Sequence, residues 1–337
     1  MLNSAIINLN NLRHNAKTIK KLLAPQTKFC AVVKADAYGH GACEVASAIY
    51  DLVDSYAVAL VEEGIKLRRA GIKKDILVLI PPFKCDLEIA VRFDLTLSVS
   101  DEKIVSLINA EAKRQKKIVK VHLKIDTGMN RQGVKDLDKI DRICAKISRY
   151  KNLELEGVFS HFAKPENKKS RNNALTKFLL ANKVVKGYNK KVISHISASG
   201  GLLAGVQMDM VRVGIMLYGY TPFKTDKVKL KPVMKIISPV LKTQTLKRGE
   251  VALYGDKKIK KTDNYSLIRY GYADGLERVN TLSQHGNRCM DLTLVKSNGK
   301  DAFVILDDAE TLAKRYKTIT YEILCKAPIR AERKYRR

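Results

Sequence analysis

Ala31-Val32-Val33-Lys34-Ala35-Asp36-Ala37-Tyr38-Gly39-His40-Gly41 is a short apolar run that stops on a lysine and passes into a tyrosine set among glycines. From Phe29 to Val33 the run is short and β-branched, which suits a parallel strand buried on both faces. Such a strand delivers Lys34 to a loop at its carboxyl end. Burial there disfavours the ammonium and lowers its pKa, and a neutral lysine amine is a Schiff-base nucleophile. A lysine after an apolar run equally suits a plain strand cap whose ammonium snorkels to water. On this stretch alone both readings stand.

Outward from it, strand-like runs alternate with helical patterns to about Tyr220. Eight strands are expected: Phe29 to Val33, Ser55 to Leu60, Asp75 to Ile80, Leu95 to Ser98, Lys120 to Ile125, Leu155 to His161, Val192 to Ser197 and Met210 to Leu217. Segments between them, such as Ala42 to Asp51, Glu62 to Ala70, Asp101 to Lys113, Leu137 to Arg149 and Asn173 to Val185, carry apolar residues at helical spacing. Eight βα units in about two hundred residues predict an α/β chain with a (β/α)8 TIM-type barrel rather than an open doubly wound sheet. No GxGxxG follows the first strand, which argues against a dinucleotide fold.

After Pro222 the rhythm changes to Lys- and Thr-rich strands, at Val233 to Leu246, Val251 to Tyr254, Tyr265 to Tyr270 and Met290 to Lys296, with one helix near Asp307 to Arg315. The expected organisation is a barrel over residues 10–225 and a second, mainly β domain over 226–337. The N-terminal strand within 1–9 is expected to pair with the second domain.

A chain of 337 residues exceeds the usual limit of one core, in keeping with two domains. Six cysteines are widely scattered without a CxxC pair, and no secretory leader precedes them, so reduced thiols and a cytoplasmic location are expected. The longest apolar runs, such as Asp75 to Pro82, are strand-sized and predict no membrane span. A formal charge of +29 raises nucleic acid as a partner. Yet the lysines are spread over most helices and turns, as on solvated faces, and only Arg330 to Arg337 is dense. No dedicated nucleic-acid role is expected.

Catalytic groups of a barrel project from the carboxyl ends of its strands. Lys34 and Tyr38 follow the first strand, and Lys124, Asp126 and Arg131 end the fifth in LKIDTGMNRQG. His161 ends the sixth in GVFSHFA, Ser199 follows the seventh in HISASGG, and Arg212 lies on the eighth in MVRVGIMLYG. An arginine in an apolar strand needs a partner, such as a cofactor nitrogen. Taken singly, His161 suits a satisfied strand-end histidine, and Ser199 with its glycines an anion nest.

In order and separation these segments, AVVKADAYGHG above all, resemble those of the alanine racemases over essentially the whole chain. The resemblance implies pyridoxal 5'-phosphate (PLP) carried on Lys34, with Arg212 at its pyridine nitrogen and His161 orienting that arginine. It further implies Arg131 at the phenolate oxygen and the substrate carboxylate, supported by Lys124, which in some relatives is carbamylated. Tyr38, Ser199, the backbone of Gly214 and Ile215, and Tyr321 in TYEILC would hold the phosphate. From the second domain, Tyr254 in VALYGD corresponds to a second catalytic base and Met290 in CMDL to a substrate-binding amide, while Tyr272, Arg278 and Asp291 would line the entrance. In the family these groups reach the neighbouring subunit's site, which implies a head-to-tail homodimer. No metal is expected.

The chain departs from the family pattern at Ala198, where asparagine is usual, at Asn287, where an entrance arginine is common, and in a Gly275 to Cys289 segment about ten residues short. The reaction implied is interconversion of L- and D-alanine by two bases, supplying D-alanine for peptidoglycan. Rival readings are a racemase of broader range, accepting serine, a decarboxylase of the same architecture, which would place a carboxylate at the pyridine nitrogen, and a non-catalytic PLP carrier, which would lack the second domain and Tyr254.

Overall fold

The apolar runs pair as parallel strands, because each is buried on both faces and separated from the next by a helix that covers it. The structure is a computed structural model, described over residues 2–254, 258–278 and 288–337. Strands β2 (Lys28–Val32), β3 (Ser55–Val58), β4 (Ile76–Val78), β5 (Thr96–Val99), β6 (Val119–Lys124), β7 (Leu153–Phe159), β8 (Ile193–His195) and β9 (Met210–Val213) form one eight-stranded sheet. Their order is β8-β7-β6-β5-β4-β3-β2-β9. The seam between the two edges is bridged where Arg212 N donates to the Ser197 carbonyl at 3.0 Å and Ala198 faces Arg212 in a parallel bridge. The result is the expected TIM-type barrel.

One covering helix shows the local logic. Asp136 accepts from Lys139 N at 2.7 Å and caps Leu137–Ser148, which buries Ile140, Ile143, Cys144 and Ile147 on a single stripe. Each such aliphatic side chain contributes roughly 1.5–3 kcal/mol on burial.

The second sheet contains β1 (Ser4–Asn8), β10 (Met234–Leu246), β11 (Asp263–Ile268), β12 (Thr293–Lys296), β13 (Ala302–Leu306) and β14 (Glu332–Arg336). β1 runs antiparallel to β10 and parallel to β14, so the two ends of the chain meet in this sheet. The dense basic tail is therefore strand β14, with its side chains alternating between exposed and partly buried. Val251 to Tyr254 does not form the expected strand; Val251 makes an isolated bridge with Lys258. β13 and the helix Thr320–Lys326 were not anticipated from the sequence.

Candidate active site

Beyond Val33 the backbone turns left-handed. Ala35, Asp36, Ala37 and Tyr38 have φ of 51°, 51°, 55° and 52°, and Gly39 follows at 81°. Residues with a Cβ avoid this region at roughly 1–2 kcal/mol each, so four in a row persist only where the surroundings hold them. Ala35 N donates to Glu63 at 2.6 Å, and Ala42 N donates to the Asp36 carboxylate at 2.9 Å. Arg333 on β14 donates to the Gly39 carbonyl at 2.8 Å and pairs with Asp36 at 2.7 Å. A Cβ at Gly39 would lie 2.4 Å from the Leu324 carbonyl oxygen, so glycine permits the helix Thr320–Lys326 to close on the turn.

That turn presents Tyr38 to the end of β9. A Cβ on Gly214 would lie 2.6 Å from the Tyr38 hydroxyl, and Gly214 N donates to Ser199 Oγ at 3.3 Å. The Tyr321 ring lies 5.8 Å from that of Tyr38, centroid to centroid. Tyr38, Ser199, Gly214 and Tyr321 are thus brought together, with Ile215 opening the turn that follows Gly214. Ala198 precedes the helix Ser199–Leu203 without a side-chain cap.

At the same mouth the charges are nearly all positive. Burial, then Arg131 and Arg212, lowers the pKa of Lys34, against weaker support from Glu63. Lys124 is pushed down to about 7 by burial and by Arg212, Arg131 and Lys34, with Asp126 opposing. Its ammonium lies 4.8 Å from the Phe159 ring centroid and donates to the Leu79 carbonyl at 3.3 Å. Asp126 itself is occupied by the backbone N–H groups of Gly128, Met129 and Asn130 at 2.8–3.1 Å, which shapes the loop bearing the exposed Arg131. His161 is held at about 3, by desolvation first and then by Arg212, Arg131, Lys124 and Lys34.

Arg212 is buried and partnered within the chain. Its guanidinium donates to the Ser160 carbonyl at 2.6 Å and to His195, at 2.6 Å for Nδ1 and 3.1 Å for the carbonyl. Burial lowers its pKa to about 10, so it stays charged. His161 Nδ1 lies 3.5 Å from Arg212 Nη2, and His195 Nδ1 makes the shorter contact, 2.6 Å from Nη1. His195 was passed over because ISHIS reads as an ordinary strand end. Its signal was a polar residue facing the interior of a barrel strand.

The second-domain candidates stand apart. Tyr254 is 62% exposed and Met290 54%. Tyr272 N donates to the Cys289 carbonyl at 3.0 Å and Ala273 N to that of Met290 at 2.9 Å, which unites the Tyr272 and Met290 segments. Asp291 pairs with Arg330 at 2.7 Å, and the Arg278 carbonyl accepts from Arg288 N at 3.2 Å. None of these described contacts reaches Lys34. Asn287 and most of the shortened segment lie outside the described residues.

Comparison with known proteins accounts for both halves. Residues 7–222 match the family model of the alanine racemase N-terminal domain and 233–335 that of the C-terminal domain. The alanine racemase of Treponema denticola is 34% identical, covering 95% of this chain and 94% of its own. Alanine racemase 2 of Caldanaerobacter subterraneus is 32% identical over 98% of this chain and 93% of its own. The solved alanine racemase of Clostridium difficile 630 superposes with a TM-score of 0.94 at 32% identity, covering 100% of this chain and 96% of that one. With both domains matched and coverage nearly complete in each direction, the chain belongs to the alanine racemase family of isomerases.

Proposed function

We propose that the chain interconverts L- and D-alanine with PLP held on Lys34, in a homodimer whose sites are each completed by a second copy. The observation that carries this reading is the cluster of Lys34, Lys124, Arg131 and Arg212 at one barrel mouth, where burial first and the neighbouring cations second lower the pKa of His161 and of both lysines, against weaker opposition from Glu63, Cys325 and Asp126. Such an excess of positive charge suits anionic ligands, a phosphate and a carboxylate. The donor set fits PLP: Gly214 leaves room for the Tyr38 hydroxyl beside Ser199, a cradle that a side chain would fill. Tyr321 and the backbone of Gly214 and Ile215 would complete the phosphate site.

Bound PLP supplies the electron sink that acidifies the α-proton of an attached amino acid. Lys34 would be the base on one face, and burial together with the neighbouring arginines, by lowering its pKa, favours the neutral amine that a base requires. Tyr254 of a second copy would serve the opposite face, which its exposure in the single chain allows. Two bases on opposite faces are what inversion at Cα requires. Tyr254 takes the proton from L-alanine in this assignment, and Lys34 takes it from D-alanine.

Arg131, with the Met290 amide, would hold the substrate carboxylate. Arg212 would donate to the ring nitrogen and, with a pKa of about 10, would keep its proton there, which would restrain carbanion stabilisation and side reactions. A carboxylate at that position would have favoured a decarboxylase. Lys124, near half-neutral at pH 7, has the free amine that carbamylation needs, and a carbamate would give Arg131 an anionic partner. Tyr272, Arg278 and Asp291 are assigned to the entrance.

D-alanine for peptidoglycan is the product use we infer. A cytoplasmic location accords with six cysteines that are all free. Among the described residues no helix is long and apolar enough to cross a membrane.

The test is an absorbance scan of the PLP-loaded protein with and without borohydride, followed by kcat/KM for alanine, serine, lysine and arginine. A borohydride-sensitive band and a preference for alanine over serine of about 1–3 kcal/mol are expected, with lysine and arginine nearly excluded. Lysine or arginine turnover equal to that of alanine would favour the broad-range racemase instead.

A further inference from the structure

Behind Arg212 a line of hydrogen bonds runs down the inside of the barrel. Arg212 Nη1 lies 2.6 Å from His195 Nδ1, His195 Nε2 lies 2.9 Å from His122 Nδ1, and His122 Nε2 lies 3.0 Å from Glu156 Oε2. His122, His195 and Arg212 are all buried, at 2%, 0% and 3% exposure.

Chemistry at the two ends settles the direction. A guanidinium has no acceptor, so His195 Nδ1 accepts and its proton is on Nε2. That N–H must donate to His122 Nδ1, which leaves the His122 proton on Nε2, facing a carboxylate that can only accept. Both histidines are consequently neutral Nε2–H tautomers, since an extra proton on either would set two N–H groups against each other. Burial, aided by the neighbouring cations, keeps His195 far below its ordinary pKa, in agreement. Glu156 is held at about 2, the upward push of burial being outweighed by its bonds from His122 and Lys120.

The far end opens on water. Lys28, Ser55, Thr96, Ile193 and Met210 begin their strands, and with His122 and Glu156 they line a cavity of about 270 Å³ at the mouth opposite Lys34. The backbone is also shaped for the line: a Cβ on Gly157 would lie 2.5 Å from the His122 ring, so only glycine at this place lets the imidazole lie between β6 and β7.

We propose that Glu156, His122 and His195 are positioning residues for Arg212, a relay of fixed direction that transmits the pull of a carboxylate at the basal mouth to the guanidinium at the catalytic mouth. The relay holds Arg212 against the barrel wall and moderates the strength with which its free N–H groups donate. Its effect on catalysis rests on the reading of Arg212 as the partner of the PLP ring nitrogen. Its geometry does not.

Histidine-selective ¹⁵N NMR of the apoprotein decides the geometry, since the chain has six histidines. His122 and His195 should both show a protonated Nε2 and an unprotonated Nδ1 across neutral pH; a proton on Nδ1 of either overturns the relay. In the PLP-loaded enzyme, Glu156→Gln, which keeps an acceptor but removes the charge, should lower kcat about tenfold with KM within about twofold and should move the His195 Nδ1 resonance, a size typical of outer partners of a functional group. Gly157→Ala, which changes none of the four relay residues but displaces the His122 ring, should reproduce the kcat loss. Wild-type kcat and unchanged His195 resonances in both variants would also overturn it. A wild-type protein that forms no borohydride-sensitive band would refute the functional reading, while the tautomers would still decide the relay.

Discussion

Arg333 pairs with Asp36 at 2.7 Å, fastening the last strand of the chain to the left-handed turn that carries Tyr38. The same guanidinium donates to the Gly39 carbonyl at 2.8 Å. Four non-glycine residues at positive φ are stable only under such restraint. The mainly β domain therefore acts on the barrel site from within one chain, before any second copy is considered.

Arg333→Met removes both contacts and should destabilise the apoprotein by about 1.5–3 kcal/mol, the range of a hydrogen bond from a charged group. PLP affinity should fall with it, because Tyr38 is held by the turn. Urea denaturation and a PLP titration followed by absorbance check the two effects. Unchanged values in both would show that the turn keeps its shape without Arg333.

Lys34→Ala should abolish the borohydride-sensitive band and racemisation together, because this amine follows β2 with its pKa lowered by burial and by Arg131 and Arg212. PLP reduced onto the variant at wild-type stoichiometry would name another lysine as the anchor.

Tyr254→Phe should impair loss of the α-proton from L-alanine more than from D-alanine, as measured by solvent deuterium exchange from each enantiomer. The exposure of Tyr254 adds a second arm: mixed with Lys34→Ala under subunit exchange, the variant should regain activity, since one hybrid site carries both native groups. Verified heterodimers without activity would mean that each site draws both bases from one chain.

Lys124 gives a pH signature in the PLP-free protein. Its pKa is about 7 when folded and near 10.5 when unfolded, so the unfolded chain binds the extra proton between these values and stability rises with pH across the window. Below about pH 7 the cost of the buried ammonium is fully felt. Lys124→Met should accordingly be the more stable protein at pH 7, with the gap closing toward pH 10. A gap independent of pH would show that Lys124 is not a buried titrating amine.

The barrel was legible because a strand buried on both faces leaves an unbroken apolar run, and eight of these alternate with helical stripes. The strand-end groups Lys34, Tyr38, Arg212 and Ser199 were legible because polar residues interrupt those runs. β14 was not, since Glu332–Arg336 is charged at nearly every place and reads as a solvated tail. Its pairing depends on β1, more than three hundred residues away in the chain, and long-range pairing leaves no local trace. His122, Glu156 and His195 were hidden for a related reason: each looks ordinary alone, and their meaning lies in a line across three strands.

The central claim, a racemase working through PLP on Lys34, is tested most directly by incubating the PLP-loaded protein separately with L-alanine and with D-alanine and resolving the enantiomers over time. The account predicts that both reactions converge on equal amounts of the two, since enantiomers have equal free energy, and that Lys34→Ala leaves each untouched. Recovery of either enantiomer unchanged by the loaded wild-type protein, or its conversion to an amine with loss of CO₂, would contradict it.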